Sequence, residues 1–242
     1  TPIAQKGNPK PRIFRIFNEN AIINRLGFNN KGVDHLVKKL KKRKFNGIVG
    51  VNIGANKESS GQDRINDYLT CFRKVHELCD YITVNISSPN TPNLRDLHQS
   101  DNLTDLLNAI EGEVIKVNYV KPIFLKISPD ESRESLESII QAVDESSFSG
   151  LIATNTTINK DNLENPRYKK LTGGLSGKPL MSKSTKTIID IKNISLNMDI
   201  IGVGGVMTKE DFHEKINAGA CLVQIYTGFI VHGPKIVNEL LK

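Results

Sequence analysis

The chain has 242 residues, 38% of them hydrophobic and 24% charged. That mixture supports one sizeable buried core and excludes collagen-like, low-complexity and disordered classes. Lys and Arg number 33 against 26 Asp and Glu, a net charge of +7, yet the surplus is diffuse, and no apolar run approaches the ~20 residues of a membrane-spanning helix.

In chain order, Gly7-Asn-Pro-Lys-Pro11 is turn-rich and extended. Ile13 to Phe17 predicts a short strand outside the main sheet. Asn24-Arg-Leu-Gly-Phe-Asn-Asn30 is too polar for a core element and reads as a loop that returns to the mouth of a site. The densest basic run, Lys38 to Lys44, falls on a predicted helix whose apolar face is Leu36, Val37 and Leu40. No aromatic residues interleave with it to stack bases, so it reads as a solvated face, and no nucleic-acid partner is expected. The three cysteines, Cys71, Cys79 and Cys221, are too few and too widely spaced for a disulfide framework or structural zinc. All three read as core residues. No histidine shows metal spacing; His35, His76, His98, His213 and His232 read as surface or helix residues.

Six short apolar, β-branched runs follow one another: Gly47–Gly54, Tyr81–Ser87, Pro122–Ser128, Gly150–Thr156, Asp199–Gly205 and Leu222–Gly228. Near-continuous apolar runs predict strands covered on both faces. Helical patterns lie between them, among them Asp67–Cys79, Glu131–Ser146, Ser182–Ile194 and Thr208–Ala218, with Asp130 and Thr208 as expected N-caps. Repeated strand-then-helix units give a parallel sheet with right-handed crossovers. Several runs carry a polar residue near the carboxyl end: Asn52, Asn85, Lys126, and Thr154 with Asn155. A buried amide or ammonium with no partner costs several kcal/mol, so four strands doing this together point to one shared polar ligand. Glycines close the last two runs, Gly204-Gly205 and Gly228, as a phosphate cradle needs. The expected fold is therefore α/β: a TIM-type (β/α)8 barrel of which this chain holds strands three to eight, with the first two upstream of Thr1. Residues 1–242 read as one partial catalytic barrel domain. Such a barrel exposes two strand edges and an apolar interior.

The loop after the second run is Asn85-Ile-Ser-Ser-Pro-Asn-Thr-Pro-Asn93. Pro89 and Pro92 stiffen it, so that it can hold a hydroxyl and several amides in fixed geometry. The whole string resembles dihydroorotate dehydrogenases, in particular the class 2, quinone-linked branch. Further segments carry the same resemblance: Gly7–Arg12, Asn24–Phe28, Val51–Gly54, Leu125–Ile127, Ala153–Thr157, Thr172–Gly177, Ile201–Gly205 and Gln224–Gly228.

The resemblance implies an eight-stranded barrel with FMN at its carboxyl face. It implies oxidation of dihydroorotate to orotate in pyrimidine synthesis, with the proton lost from C5, the hydride passed from C6 to the flavin, and a quinone as final acceptor. It places Ser88 as catalytic base, where class 1 relatives use cysteine. Thr91 and Phe28 line the proton's route. Asn24, Asn85, Asn90, Asn155 and Thr156 hold the substrate, with Arg25, Leu26 and Gly27 from the loop beside Phe28. Lys126 lies at the flavin N1/O2 edge. Asn52, Asn85 and Thr154 contact the isoalloxazine or ribityl part, and Gly177, Gly205, Tyr226 and Thr227 surround the ribityl chain and phosphate. No metal is expected.

An N-terminal helical extension and two barrel strands precede the matching region in the family, and the sequence is expected to be part of a longer protein. That extension forms the quinone tunnel and the membrane contact. The implied setting is therefore peripheral, on the cytoplasmic face of a bacterial inner membrane or on the mitochondrial inner membrane. This segment alone is expected to be soluble and a monomer. Three other readings compete: a class 1-like enzyme or another FMN-dependent barrel oxidoreductase, a flavin-free barrel isomerase, and a basic scaffold or nucleic-acid binder. The last gives no reason for the polar strand ends.

Overall fold

A computed structural model describes residues 1–87 and 100–242. The main sheet is parallel and six-stranded, built from β3 (Gly50–Ile53), β4 (Tyr81–Asn85), β5 (Ile123–Ile127), β6 (Gly150–Ala153), β8 (Asp199–Val203) and β9 (Leu222–Gln224) in that spatial order. The helices between them are α2 (Gly61–Val75), α3 (Ser100–Val117), α4 (Arg133–Asp144), α6 (Met181–Ile194) and α7 (Lys209–Asn217). Ahead of β3 stands α1 (Val33–Leu40), and the short α5 (Pro166–Lys169) follows β6. Two further short helices, α8 (Thr227–His232) and α9 (Lys235–Leu241), end the chain.

Strand side chains alternate between faces, and the two faces differ in kind. Val51, Ile53, Ile82, Val84, Leu125, Ile127, Leu151 and Ile200 point outward and join one core with Tyr68, Phe72, Leu106, Ile139 and Ile188 of the helices. Inward, Phe124, Ile152, Ile201 and Val203 form a second cluster with Tyr81. Above this apolar floor lie the polar strand ends. The sheet curls: Lys126 on β5 reaches Gln224 on β9, Nζ to Oε1, at 3.2 Å. Those strands stand three places apart, about 14 Å in a flat sheet at ~4.8 Å per strand. β3 and β9 are the two edges of this half-barrel.

A small antiparallel sheet, β1 (Ile13–Ile16), β2 (Ala21–Asn24) and β7 (Gly174–Gly177), lies apart from it. Its own core is Ile16, Ala21, Ile23, Leu163 and Leu175. β1 fits the strand expected outside the barrel. β2 and β7 are not anticipated by the apolar runs. Their four residues each include Asn24, Ser176 and two glycines, too short and too polar for a pattern to stand out.

Three other expectations are corrected. Asp130 does not cap α4; Ser132 does, accepting from the Ser135 N–H. Asp130 instead takes the Thr157 hydroxyl at 2.5 Å, the Ile158 N–H at 2.9 Å and the Lys183 ammonium. Cys221 is exposed, unlike Cys71 and Cys79, because it enters the edge strand β9, where no neighbouring strand covers it. The helix expected over Asp67–Cys79 starts at Gly61 and ends at Val75, with a 3-10 turn over His76–Leu78. Thr208 does cap α7, through a reciprocal capping box with Asp211.

Candidate active site

A cavity of about 460 Å³ sits at the carboxyl ends of the main strands, within the usual range for a small-molecule site. Every strand of the main sheet or the loop after it contributes: Asn52, Asn85, Lys126, Thr154–Thr156, Val203–Val206 and Gln224–Gly228. The small sheet closes the other side with Asn24, Leu26, Phe28, Ser176 and Gly177.

The loop carrying Leu26 and Phe28 is strapped from outside. The Asn8 side chain donates to the Arg25 carbonyl at 3.0 Å, Gln5 to the Gly27 carbonyl at 2.8 Å and Asn30 to the Phe28 carbonyl at 2.7 Å. These bonds hold Gly27 and Phe28 at φ +68° and +51°. The second is uncommon for a residue with a side chain, and it puts the ring against Gly54, 3.7 Å from where a Cβ there would lie. Of the loop residues expected at the substrate, Arg25 and Gly27 do not line the cavity. The Arg25 guanidinium is committed elsewhere, to the Pro11 carbonyl at 2.9 Å and the Thr172 hydroxyl at 2.9 Å.

Asn85 and Asn155 belong to one network. Asn85 Oδ1 accepts from the Ser87 N–H at 3.1 Å and the Ser87 hydroxyl at 3.0 Å, and Asn155 Nδ2 donates to that hydroxyl at 3.0 Å. Asn155 Oδ1 accepts the Thr156 N–H at 2.8 Å. Asn85 therefore keeps its NH2 for a ligand, whereas Asn155 uses both ends of its amide as a brace. Ser88, Asn90, Thr91 and His98 lie outside the described residues.

Among the described residues that line the cavity, Lys126 is the charged one. Burial, which disfavours the ammonium, lowers its pKa to about 8. Gln224 takes one of its three N–H donors, which leaves two for a ligand. Lys215, outside the cavity lining, is also lowered to about 8 by burial. The sign follows. The folded protein releases these protons before the unfolded chain does, so the stability from both sites is least below pH ~8. It rises with pH up to the ordinary lysine value of ~10.4. In protein carrying 13C-labelled lysine, two side-chain resonances are expected to titrate near pH 8. Lys126→Met should remove one of them, and a full set titrating near the ordinary value would refute the burial.

The loop Gly204–Gly205 and the turn Tyr226–Gly228 also line the cavity. Gly205 has φ +82°, and a Cβ there would lie 2.6 Å from the Met181 backbone nitrogen. Only glycine fits this position without moving α6. Gly204 and Gly228, expected in the glycine cradle, line the cavity, as do Gln224, Ser176, Leu180, Val203, Val206 and Ile225, which are not among the expected site residues. Gln224 obeys the rule that picks out Lys126, a polar side chain at the inward-facing carboxyl end of a strand. Among the described residues no cluster of His, Cys, Asp or Glu could hold a metal.

A family model described as "Dihydroorotate dehydrogenase" matches residues 1–242. The chain belongs to the dihydroorotate dehydrogenase family. A protein named dihydroorotate dehydrogenase (quinone) from Legionella pneumophila (strain Corby) is 45% identical over 246 residues, covering 100% of this chain and 74% of that protein. One of the same name from Saccharophagus degradans is 46% identical over 245 residues, covering 99% and 72%. The crystal structure of DHODH from Eimeria tenella in complex with ferulenol superposes with a TM-score of 0.92 at 35% identity, over 99% of this chain and 70% of that one. That likeness fits the six parallel strands to a partial TIM-type barrel. Dihydroorotate dehydrogenases are flavin-dependent oxidoreductases.

Proposed function

We propose that this chain oxidises dihydroorotate to orotate with FMN as hydride acceptor and a quinone as final acceptor, in pyrimidine synthesis. One observation carries the reading. A single cavity combines a partly buried lysine with a glycine-lined turn, in a chain that matches the family over its whole length.

The residues present fit a flavin mononucleotide. At the glycine turn the backbone packs on α6 with no room for a Cβ between them, and Gly204 and Gly205 line the cavity, so bare backbone is offered to a phosphate. The amides that line the cavity offer donors and acceptors without charge. When bound, the flavin supplies the acceptor for the hydride from C6.

The chain supplies the rest. Asn52, Asn85 and Thr154 hold the ring and ribityl part, and Gly177, Gly205, Tyr226 and Thr227 hold the ribityl chain and phosphate. Asn24, Asn85, Asn90 and Thr156 meet the carbonyl, imide and carboxylate groups of the substrate, with Asn155 bracing them. Ser88 takes the proton from C5; Thr91 carries it away and Phe28 shields the path from bulk water. Lys126 offers a fixed cation where negative charge develops. Among the described residues no helix is long and apolar enough to cross a membrane. Peripheral membrane contact, a monomeric state and one catalytic domain over residues 1–242 belong to the same proposal.

Purified full-length protein is expected to be yellow and to release FMN on denaturation. Dihydroorotate should bleach it without oxygen, and a quinone should restore the colour. A colourless protein that binds no flavin would favour the flavin-free isomerase.

A further inference from the structure

Lys215 on α7 is fully buried. A buried ammonium normally keeps a carboxylate beside it. Among the described residues none lies within ion-pair distance of this one. The nearest acids, Asp211 and Glu214, are close enough only to favour its charge, and Asp211 is engaged by the Lys178 ammonium at 2.7 Å and by the Met207 and Thr208 N–H groups.

Neutral oxygens surround it instead. Lys215 Nζ donates to Ser184 Oγ at 2.5 Å, Thr185 Oγ1 at 2.8 Å and the Met181 carbonyl at 3.2 Å. These three contacts use all the donors an ammonium has. Ser184 can donate to the Met181 carbonyl at 3.0 Å or the Gly204 carbonyl at 2.9 Å. Lys215 at 3.2 Å and the Thr185 hydroxyl at 3.0 Å already take the two lone pairs of the Met181 carbonyl, and Lys215 takes a lone pair of Ser184. The Ser184 proton is thereby directed to Gly204.

Consequences follow for the cavity wall. The C=O and N–H of a trans peptide point in opposite directions. Pinning the Gly204 carbonyl toward α6 turns the Gly205 N–H away from α6, to the side where Gly204 and Gly205 line the cavity. A positive charge two hydrogen bonds behind that turn adds to the field felt by an anion in front of it.

We propose that Lys215 is a positioning residue for the phosphate end of the cavity, acting through Ser184 to aim the Gly205 N–H and supplying the buried charge that an anion there compensates. The inference rests on the flavin mononucleotide reading above. It goes further by assigning phosphate selectivity to a side chain that never touches the ligand.

The test compares two probes that differ in the phosphate alone. Full-length protein freed of flavin is titrated with FMN and with riboflavin, following flavin fluorescence. Wild type is expected to prefer FMN strongly. Lys215→Met, which keeps most of the volume but no charge or donors, should narrow that preference roughly tenfold, about the effect of one charge ~12 Å away at an effective dielectric constant of ~20, with riboflavin affinity unchanged. Ser184→Ala, which keeps the charge, should narrow it less. An unaltered preference in Lys215→Met, or an equal loss for both ligands, would overturn the proposal; the second outcome would mark Lys215 as a mere clasp between helices. If stripped Lys215→Met does not stay folded, the release rates of FMN and riboflavin from loaded protein after dilution give the same ratio. A wild type without preference would instead overturn the phosphate cradle itself, and this inference with it.

Discussion

Ser88→Ala is expected to leave the flavin bound and to slow its bleaching by dihydroorotate about 10²- to 10⁴-fold, the range typical of a lost general base. Alanine removes the proton acceptor and little volume. The hydrogen bonds described for Asn85, Ser87 and Asn155 run among those three residues, so the cavity wall should survive the change. Anaerobic stopped-flow absorbance reads the bleaching rate directly. A wild-type rate with full flavin content would remove Ser88 as the base.

Lys126→Met should lower the same rate about 10²- to 10³-fold, the loss seen when a fixed electrostatic stabiliser is deleted, and should weaken flavin retention as well. Methionine fills the stem of the lysine, so the loss reflects charge and not a void. The expected size is large because Lys126 is partly withdrawn from water, enough to lower its own pKa to about 8, and the same desolvation strengthens its action on any charge beside it. Gln224 loses its partner in this variant. Gln224→Ala at full Lys126 charge should therefore show a smaller version of the defect. Normal reduction and normal flavin content in Lys126→Met would sink the role assigned to it.

How far the sequence can be read depended on what each element leans against. The main strands are legible because their outward residues, such as Ile82, Val84 and Leu125, are buried against helices and so form unbroken apolar runs. β2 and β7 are not, because each is four residues long and β7 pairs with a strand about 150 residues earlier in the chain, a contact that only the tertiary fold supplies. The polar strand ends are legible one by one, whereas Gln224 is hidden by the glycine-rich turn that follows it. Arg25 shows the opposite error. Its neighbours Asn24 and Leu26 line the cavity, but the guanidinium finds the Pro11 carbonyl and Thr172, and no local pattern announces so distant a partner. Lys215 reads in sequence as an ordinary charged helix position, and only its neighbours across α6 reveal a buried ammonium.

The alternation of the main strands separates two kinds of inheritance. A substitution at an outward position disturbs helix packing and is felt throughout the protein, whereas one at an inward tip is felt chiefly by whatever occupies the cavity. Descendants of such a sequence can therefore retune their chemistry residue by residue, as a lineage changes the teeth of a key while keeping its shaft.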